Sequence, residues 1–547
     1  MQKLSKYDLA VRLLCLIAIA LPWLNPTASG PSASIQPWVT AAGFTLLLWI
    51  VVAPEVMRRH LSLGAIGVAL VALVGRAAPA VLLALGGLTV IAVSAAVAAS
   101  SATQRWLEAV IVSGLLIAAL ASSLMALTQY MGVVSYLAPW VNSAELGEAF
   151  ANLRQRNQFA TLTAIGLLAL LWRVQRGMGA ALAVLTAALL AAANAASASR
   201  TGALQVVLVV AMALWWVRPL PRSVVAVCLT ALAAYALAAV MLPLALQHGW
   251  GVHPANAFGR LAGGDGCNSR TVLWSNVLHL IAQKPWWGWG WGELDYAHFA
   301  TLYPGARFCD IVDNAHNLPL HLAVELGVPT AVLACGGLLW WACRRRPWSE
   351  ADATKQLAWG VIAVILLHSL LEYPLWYGPF QMAFGFSLGL LARGSAARDR
   401  TRDAGPAVRG ALTALLLLSL LYAGWDYHRV SQLYTPPQER SVLYRDRPLP
   451  RIGSSWLFRD QLAFAELSTM TLTRANAGEL NALAMELIHF SPEPRVINIA
   501  IDSAMWIGRE DLALWLLARL RAAFPQEAES RSSAAPVPQS PVKPVTR

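Results

Sequence analysis

LEAVIVSGLLIAALASSLMALT, residues 107–128, is a run of 22 residues with a single charged side chain, Glu108. Wound as a helix at about 1.5 Å per residue, such a run crosses a hydrocarbon core of about 30 Å. Similar runs recur at 9–24, 37–53, 61–75, 79–100, 157–172, 178–197, 202–217, 223–243, 318–342, 356–372, 378–392 and 409–425, the one at 61–75 being the shortest. Together they predict an all-α integral membrane protein of about 13 transmembrane helices. Composition agrees: 57% of the 547 residues are hydrophobic and only 13% charged, against about 25% charged in soluble domains. Mean hydropathy is +0.54. The first run reads as a span and not a cleaved signal, because Pro22, Pro26 and a Ser-rich loop follow it without a small-residue cleavage site.

The net charge of +12 encodes orientation in a chain of this kind, and nucleic acid is not an expected partner. Lys3, Lys6 and Arg12, then Arg58 and Arg59, Arg105, Arg173 and Arg176, Arg218 and Arg222, Arg344 to Arg346, and the stretch Arg393 to Arg409 fall in alternate loops. Those loops are read as cytoplasmic by the positive-inside rule. An odd number of spans then places everything after Trp425 outside, in the periplasm of a Gram-negative cell. Six cysteines without a CxxC spacing argue against a zinc site or a redox motif.

The expected organisation is a polytopic transmembrane domain over 1–425, interrupted by a large outer loop at 244–317, then an outer helical domain at 426–525 and a disordered tail at 526–547. The loop is too long for a plain connection. Its Trp286, Trp287, Trp289 and Trp291 among glycines predict an ordered segment near the lipid headgroups. Leu512, Leu516 and Leu520 show helical apolar spacing, and the Pro/Ser/Ala-rich end does not.

Removing the cytoplasmic basic residues leaves Arg76, Arg154, Arg156, Arg200, Arg260, Arg270, Lys284 and Arg307 on the outer side. Arg200, in Asn194-Ala-Ala-Ser-Ala-Ser-Arg200-Thr-Gly202, stands at the outer end of two apolar runs, where a guanidinium is costly unless paired. It either snorkels or pairs with Glu145 or Glu148, or it belongs to an anion site. Guanidinium forks suit phosphate oxygens, and several of them suit a pyrophosphate. Asp313-Asn-Ala-His316-Asn-Leu-Pro-Leu320 ends the large loop, and a histidine there can take a proton from a hydroxyl at neutral pH. His368-Ser-Leu-Leu-Glu372-Tyr-Pro-Leu-Trp-Tyr377 ends another helix. Its Glu372 either holds an arginine or touches substrate, and the arginine is the preferred partner. No metal motif of the paired-aspartate type and no Gly-rich phosphate loop is present, so arginines would neutralise charge where other enzymes use a divalent ion. No metal or cofactor is expected.

Five of these stretches also resemble a known group. Asn152-Leu-Arg-Gln-Arg-Asn157-Gln-Phe-Ala, Ser199-Arg-Thr-Gly202, Asn268-Ser-Arg270 with Pro285-Trp-Trp-Gly-Trp-Gly290, Ala315-His-Asn-Leu followed by Glu325-Leu-Gly-Val-Pro329, and His368-Ser-Leu-Leu-Glu-Tyr-Pro-Leu375 are similar to bacterial O-oligosaccharyltransferases of the PglL type. These belong with O-antigen ligases and Wzy polymerases to one superfamily of integral-membrane glycosyltransferases. Leu21-Pro-Trp-Leu-Asn-Pro26 resembles the N-terminal signature of that branch, and the resemblance covers nearly the full chain.

The resemblance implies a GT-C-like membrane enzyme in the bacterial inner membrane with its active site facing the periplasm. It implies metal-independent transfer of a preassembled glycan, en bloc, from undecaprenyl pyrophosphate to Ser or Thr hydroxyls of periplasmic proteins or pilins. Carried over by motif, His316 is the catalytic residue and Arg200 and Arg270 bind the pyrophosphate. Gln155, Arg156, Asn157, Asn317, His368, Glu372 and Tyr373 complete the expected substrate-binding set, Gln155 being chosen over Gln158 because it precedes the Arg-Asn pair. The nearest alternative is an O-antigen ligase, which delivers the same kind of donor to lipid A-core sugar. A lipid-glycan transporter is the rival from another class, but it should show an inverted repeat, and none is visible. Cys267 and Cys309, the outer cysteines, are candidates for a disulfide in an oxidising compartment.

Overall fold

The computed structural model describes residues 5–27, 30–52, 79–102, 104–253, 266–396 and 406–533. The run at 61–75, with Arg76 and Arg260, lies outside the described residues. Helices Lys6–Leu24, Ile35–Val52, Pro79–Ala99, Arg105–Tyr130, Arg156–Gln175, Ala180–Ala196, Arg200–Trp216, Arg222–Trp250, Ala353–Ser369, Gly378–Ala396 and Pro406–Ser431 occupy apolar runs read from the sequence. No strand occurs among the described residues, and seven of their helices are long and apolar enough to cross a membrane. The protein is an all-α integral membrane protein. Its chain forms two compact units, one of residues 1–263, 316–318 and 336–459, the other of 264–315, 319–335 and 460–547.

The first unit contains the spans. Lipid tails are as apolar as leucine, so helices in a bilayer associate through close packing of small residues more than through water exclusion. Gly385 and Gly389, four apart on Gly378–Ala396, show this against Pro79–Ala99. A Cβ on either would collide with a backbone carbonyl oxygen, that of Ile91 or that of Ala95. At Gly166 a Cβ would strike the Ala119 side chain and crowd that of Leu190. At the end carrying Arg105, Arg176 and Arg393, the buried Glu108 ties four helices together. It pairs with Arg176 at 3.0 Å and Arg393 at 2.6 Å, accepts a hydrogen bond from Thr354, and Arg176 also covers the Trp172 ring. A buried carboxylate is tolerated there because it is fully partnered.

Gly389→Ala is therefore expected to cost about 1–3 kcal/mol by overpacking, read as a lower melting temperature in detergent. Gly336→Ala, where the added Cβ meets nothing within 4 Å, should leave it unchanged or slightly raised.

The second unit joins loop and C-terminal segments. Phe299, on the short helix Leu294–Ala300, is buried in one core with Leu480, Leu487, Ile497 and Leu516 from helices Ala477–Phe490, Pro494–Trp506 and Glu510–Ala523. The Arg519 guanidinium donates to the Ala300 carbonyl, and His489 stacks on Tyr296 while pairing with Glu293 at 2.7 Å. Cys267 and Cys309 form a disulfide. Several boundaries differ from the sequence reading: helix Arg222–Trp250 runs into the segment read as the loop at 244–317, and Pro406–Ser431 into that read as 426–525. The run at 318–342 is two helices, Leu318–Leu326 and Val328–Arg345, because Gly327 at φ +86° breaks it. Helix Pro525–Ser533 stands where a tail was expected from 526, started by a proline at its first turn and held by Ala528 in the core.

Two buried loop groups oppose each other in pH dependence. Burial pushes the Asp295 carboxyl up to about 8, helped by Asp313, Glu293 and Glu325 nearby, and burial with Arg307 close by holds His298 down at about 3. A raised carboxyl makes the folded state bind more protons than the unfolded one, so its contribution to stability falls from about pH 4 to pH 8; a lowered histidine makes stability rise from about pH 3 to pH 6.5. Between pH 4 and 6.5 the two act against each other, and above 6.5 only the Asp295 contribution of the pair still changes, lowering stability. Asp295→Asn should lessen the loss of stability between pH 6.5 and pH 8, measured as melting temperature of the full chain at those two values.

Candidate active site

The site in the first unit is built on helix ends. Ser199 caps Arg200–Trp216 by accepting from the Gly202 amide at 2.9 Å, and Gly202 is glycine because a Cβ would strike Asn194 and Ala160. Gln155 caps Arg156–Gln175 by accepting from the Gln158 amide at 2.6 Å. Its carboxamide nitrogen has no protein partner among the described residues. Residues Ala198, Arg154 and His316 adopt left-handed φ values of +52°, +60° and +49°, a strained conformation for residues with a Cβ that tends to collect at functional sites.

These ends are linked by a chain of hydrogen bonds. The Ser199 hydroxyl donates to Asn157 Oδ1 at 2.6 Å, the Asn157 amide donates to Glu372 Oε1 at 3.3 Å, and His316 Nδ1–H donates to Glu372 Oε2 at 2.6 Å. Glu372 is 9% exposed, and carboxylate burial of that degree is stable only with such partners. Tyr373 meets the His316 ring edge-on, centroids 5.0 Å apart, and stacks on Tyr377. Asn317 donates to the Leu370 carbonyl at 3.0 Å. Behind this layer, the buried His368 Nδ1 lies 2.9 Å from the Thr161 hydroxyl, which is also bonded to Gln205.

With Nδ1–H donated to Glu372, Nε2 is the ring nitrogen through which the imidazole could act as a base. That is the base-plus-orienting-carboxylate arrangement of hydrolytic triads, in which the carboxylate fixes the tautomer and stabilises the imidazolium that forms. Arg200 occupies the first turn of its helix and is exposed. Helix N-termini with arginine nearby favour anions.

His316, Asn157, Glu372, Tyr373 and Asn317 are thus linked or close in the first unit, one residue along the chain from Ser199 lies Arg200, and His368 supports the network from behind. Glu372 was assigned to an arginine from sequence; His316 and Asn157 are partners that reading did not foresee. Arg156 pairs with Glu148, which makes it a brace for the 148–157 turn. Arg154 donates to the Pro26 carbonyl at 2.8 Å and to Asn142, and Asn152 donates to the Leu24 and Trp140 carbonyls; both tie the Leu-Pro-Trp-Leu-Asn-Pro segment to that turn. Arg270 belongs to the second unit, in the first turn of Arg270–Gln283 after the cap Ser269. Arg307 there donates to the Thr301 carbonyl at 3.0 Å. Ser199 was the linking residue not singled out. Its signal was the Ser-Arg-Thr-Gly cap pattern.

Three family models match the chain: "O-Antigen ligase" over residues 185–335, "Protein glycosylation ligase" over 149–174, and "Virulence factor membrane-bound polymerase, C-terminal" over 356–537. A general O-oligosaccharyltransferase of Acinetobacter baylyi is 27% identical over 331 residues, 58% of this chain and 56% of the relative. A ComP-specific O-oligosaccharyltransferase of the same species is 27% identical over 137 residues, 25% of this chain and 24% of the relative. The chain therefore spans little more than half of the first relative and a quarter of the second. By these matches it is similar to the O-antigen ligases and protein glycosylation ligases that its sequence motifs resemble.

Proposed function

We propose that the chain is a glycosyltransferase that moves a preassembled glycan from undecaprenyl pyrophosphate onto a Ser or Thr hydroxyl of an acceptor protein such as a pilin, at the periplasmic face of the inner membrane. The observation that carries the reading is the His316–Glu372 hydrogen bond set beside the capped helix end that bears Arg200. A hydroxyl attacks the anomeric carbon as the carbon–oxygen bond to pyrophosphate breaks. His316 Nε2 takes the hydroxyl proton, Glu372 holds the imidazole and balances its new charge, and Arg200 and Arg270 stabilise the anionic leaving group without metal. The relatives named as O-oligosaccharyltransferases and the match to the protein glycosylation ligase model favour protein as the acceptor.

General-base catalysis contributes roughly 10²–10⁴-fold, so His316→Ala should lose transfer by that order while the protein still inserts and folds. The assay expresses the chain with a lipid-linked glycan and a pilin in a host lacking its own ligase, then examines pilin and lipopolysaccharide. Glycan on pilin alone is expected; glycan on lipopolysaccharide alone would make the chain an O-antigen ligase, and normal transfer by His316→Ala would refute the base.

Glu372→Gln removes the negative charge that favours imidazolium and turns an NH2 toward one of the two donors, His316 or Asn157, that the carboxylate accepts from. Transfer by this variant should slow about 10²-fold or more, and the acidic limb of its kcat/KM profile should move to lower pH. Asn157→Ala should move that limb toward higher pH, since it withdraws a hydrogen bond that favours ionised Glu372. A slower enzyme with an unmoved limb in both variants would leave them only structural.

A further inference from the structure

The Pro285-Trp-Trp-Gly-Trp-Gly290 stretch divides its four tryptophans, counting Trp291, into two pairs facing different surroundings. Trp289 is turned inward, its indole N–H donating to the Leu280 carbonyl at 3.0 Å and Lys284 Nζ lying 4.0 Å from its ring, and Trp291 packs against His321. Trp286 and Trp287 point outward, 71% and 89% exposed. Exposure to water of two adjacent indoles of this extent is unfavourable by about 25 cal/mol per Å² of apolar surface, so a partner is implied.

The backbone holds this pair firmly at one end of an apolar helix. Trp289 N–H donates to the Val324 carbonyl at 2.8 Å, Gly290 N–H to Glu325 at 3.0 Å, and Val328 N–H to Pro285 at 2.8 Å. The two backbones approach so closely that a Cβ on Gly288 would strike Glu325 and one on Gly327 would strike Trp286. Val328 begins the helix Val328–Arg345, whose Val332 and Leu333 are 63% and 76% exposed with no charge before Arg344. An exposed apolar helix surface of that kind is one that lipid would cover at the lowest cost. Trp286 and Trp287 continue it at its N-terminal end, where indoles prefer the headgroup layer because the ring is apolar and the N–H needs a polar partner.

We propose that Trp286 and Trp287 form a membrane-interface anchor: a rigid indole pair that partitions into the headgroup layer of the bilayer and fixes the depth of the segment leading from the large loop into Val328–Arg345. The occupant is lipid, not a glycan or a protein, because the pair is continuous with the exposed apolar surface of Val328–Arg345. The anchor rests on burial and backbone geometry, and it stands whether or not the transfer reaction does.

The test uses the full chain in phosphatidylethanolamine–phosphatidylglycerol nanodiscs. With Cys15, Cys228, Cys335 and Cys343 replaced by alanine and the Cys267–Cys309 disulfide kept, a nitroxide is placed in turn at Trp287→Cys, Leu333→Cys and Leu514→Cys, the last an exposed site of the C-terminal helices. Collisions with oxygen over those with a water-soluble nickel chelate should dominate at 333, be intermediate at 287 and be lowest at 514. A ratio at 287 equal to that at 514 overturns the proposal. Should the cysteine variant misfold, Trp286→Phe with Trp287→Phe gives a second reading: lipids brominated near the headgroup end should quench less of the total indole emission than in the parent protein, and an unchanged quenched fraction rejects the anchor.

Discussion

A carboxylate buried at the end of a membrane helix organises the candidate site. Glu372 is 9% exposed, so water reaches little of its charge and protein donors must meet its oxygens. His316 and Asn157 meet them, and each requirement passes to the next residue. Asn157 can donate to Glu372 and accept from Ser199 only as an amide; Ser199 can donate to Asn157 and still accept from Gly202 only as a hydroxyl. Gly202 in turn leaves room for Asn194, whose amide is bonded to Ala160 and Thr163. Left-handed Ala198 and His316 are the conformational consequence of directing these groups inward, at a cost of order 1–3 kcal/mol each.

The fold was legible from sequence where one physical quantity decides it. Apolar length sets the spans, and helices appear at the described runs. What could not be read were pairings across long stretches of chain. The run at 318–342 is apolar throughout, so hydropathy joins it; Gly327 breaks it because Trp286 presses against it from some forty residues away. Phe299 looked like a loop residue, and nothing in its own surroundings said that Leu480 and Leu516 would bury it. Amphipathic spacing names a face that needs covering but not the segment that covers it.

The same limit governs the site. His316 and Glu372 were both recognised, in stretches separated by 56 positions, yet their partnership was not, because two groups that need partners each have several chemically acceptable ones in sequence. The outer arginines have different local neighbours: Arg154 holds the Pro26 carbonyl, Arg156 holds Glu148, and Arg307 holds Thr301. Each of those satisfies a nearby acceptor.

Arg200 and Arg270 remain distinctive for a reason that hydropathy does not contain. Each is the first residue of its helix, directly after a serine cap. The first turn carries the positive end of the helix dipole and unsatisfied amide N–H groups, so a carboxylate there is stabilising and a cation is disfavoured by about 0.3–1 kcal/mol. Arg105, Arg156, Arg222 and Arg459 also begin helices, and of these Arg156 is offset by its pairing with Glu148. At Arg200 and Arg270 the sequence places arginine, behind a serine cap, where the dipole opposes it. An anion of two or more charges reverses the sign of both terms at once, since dipole, amide groups and guanidinium then all attract it.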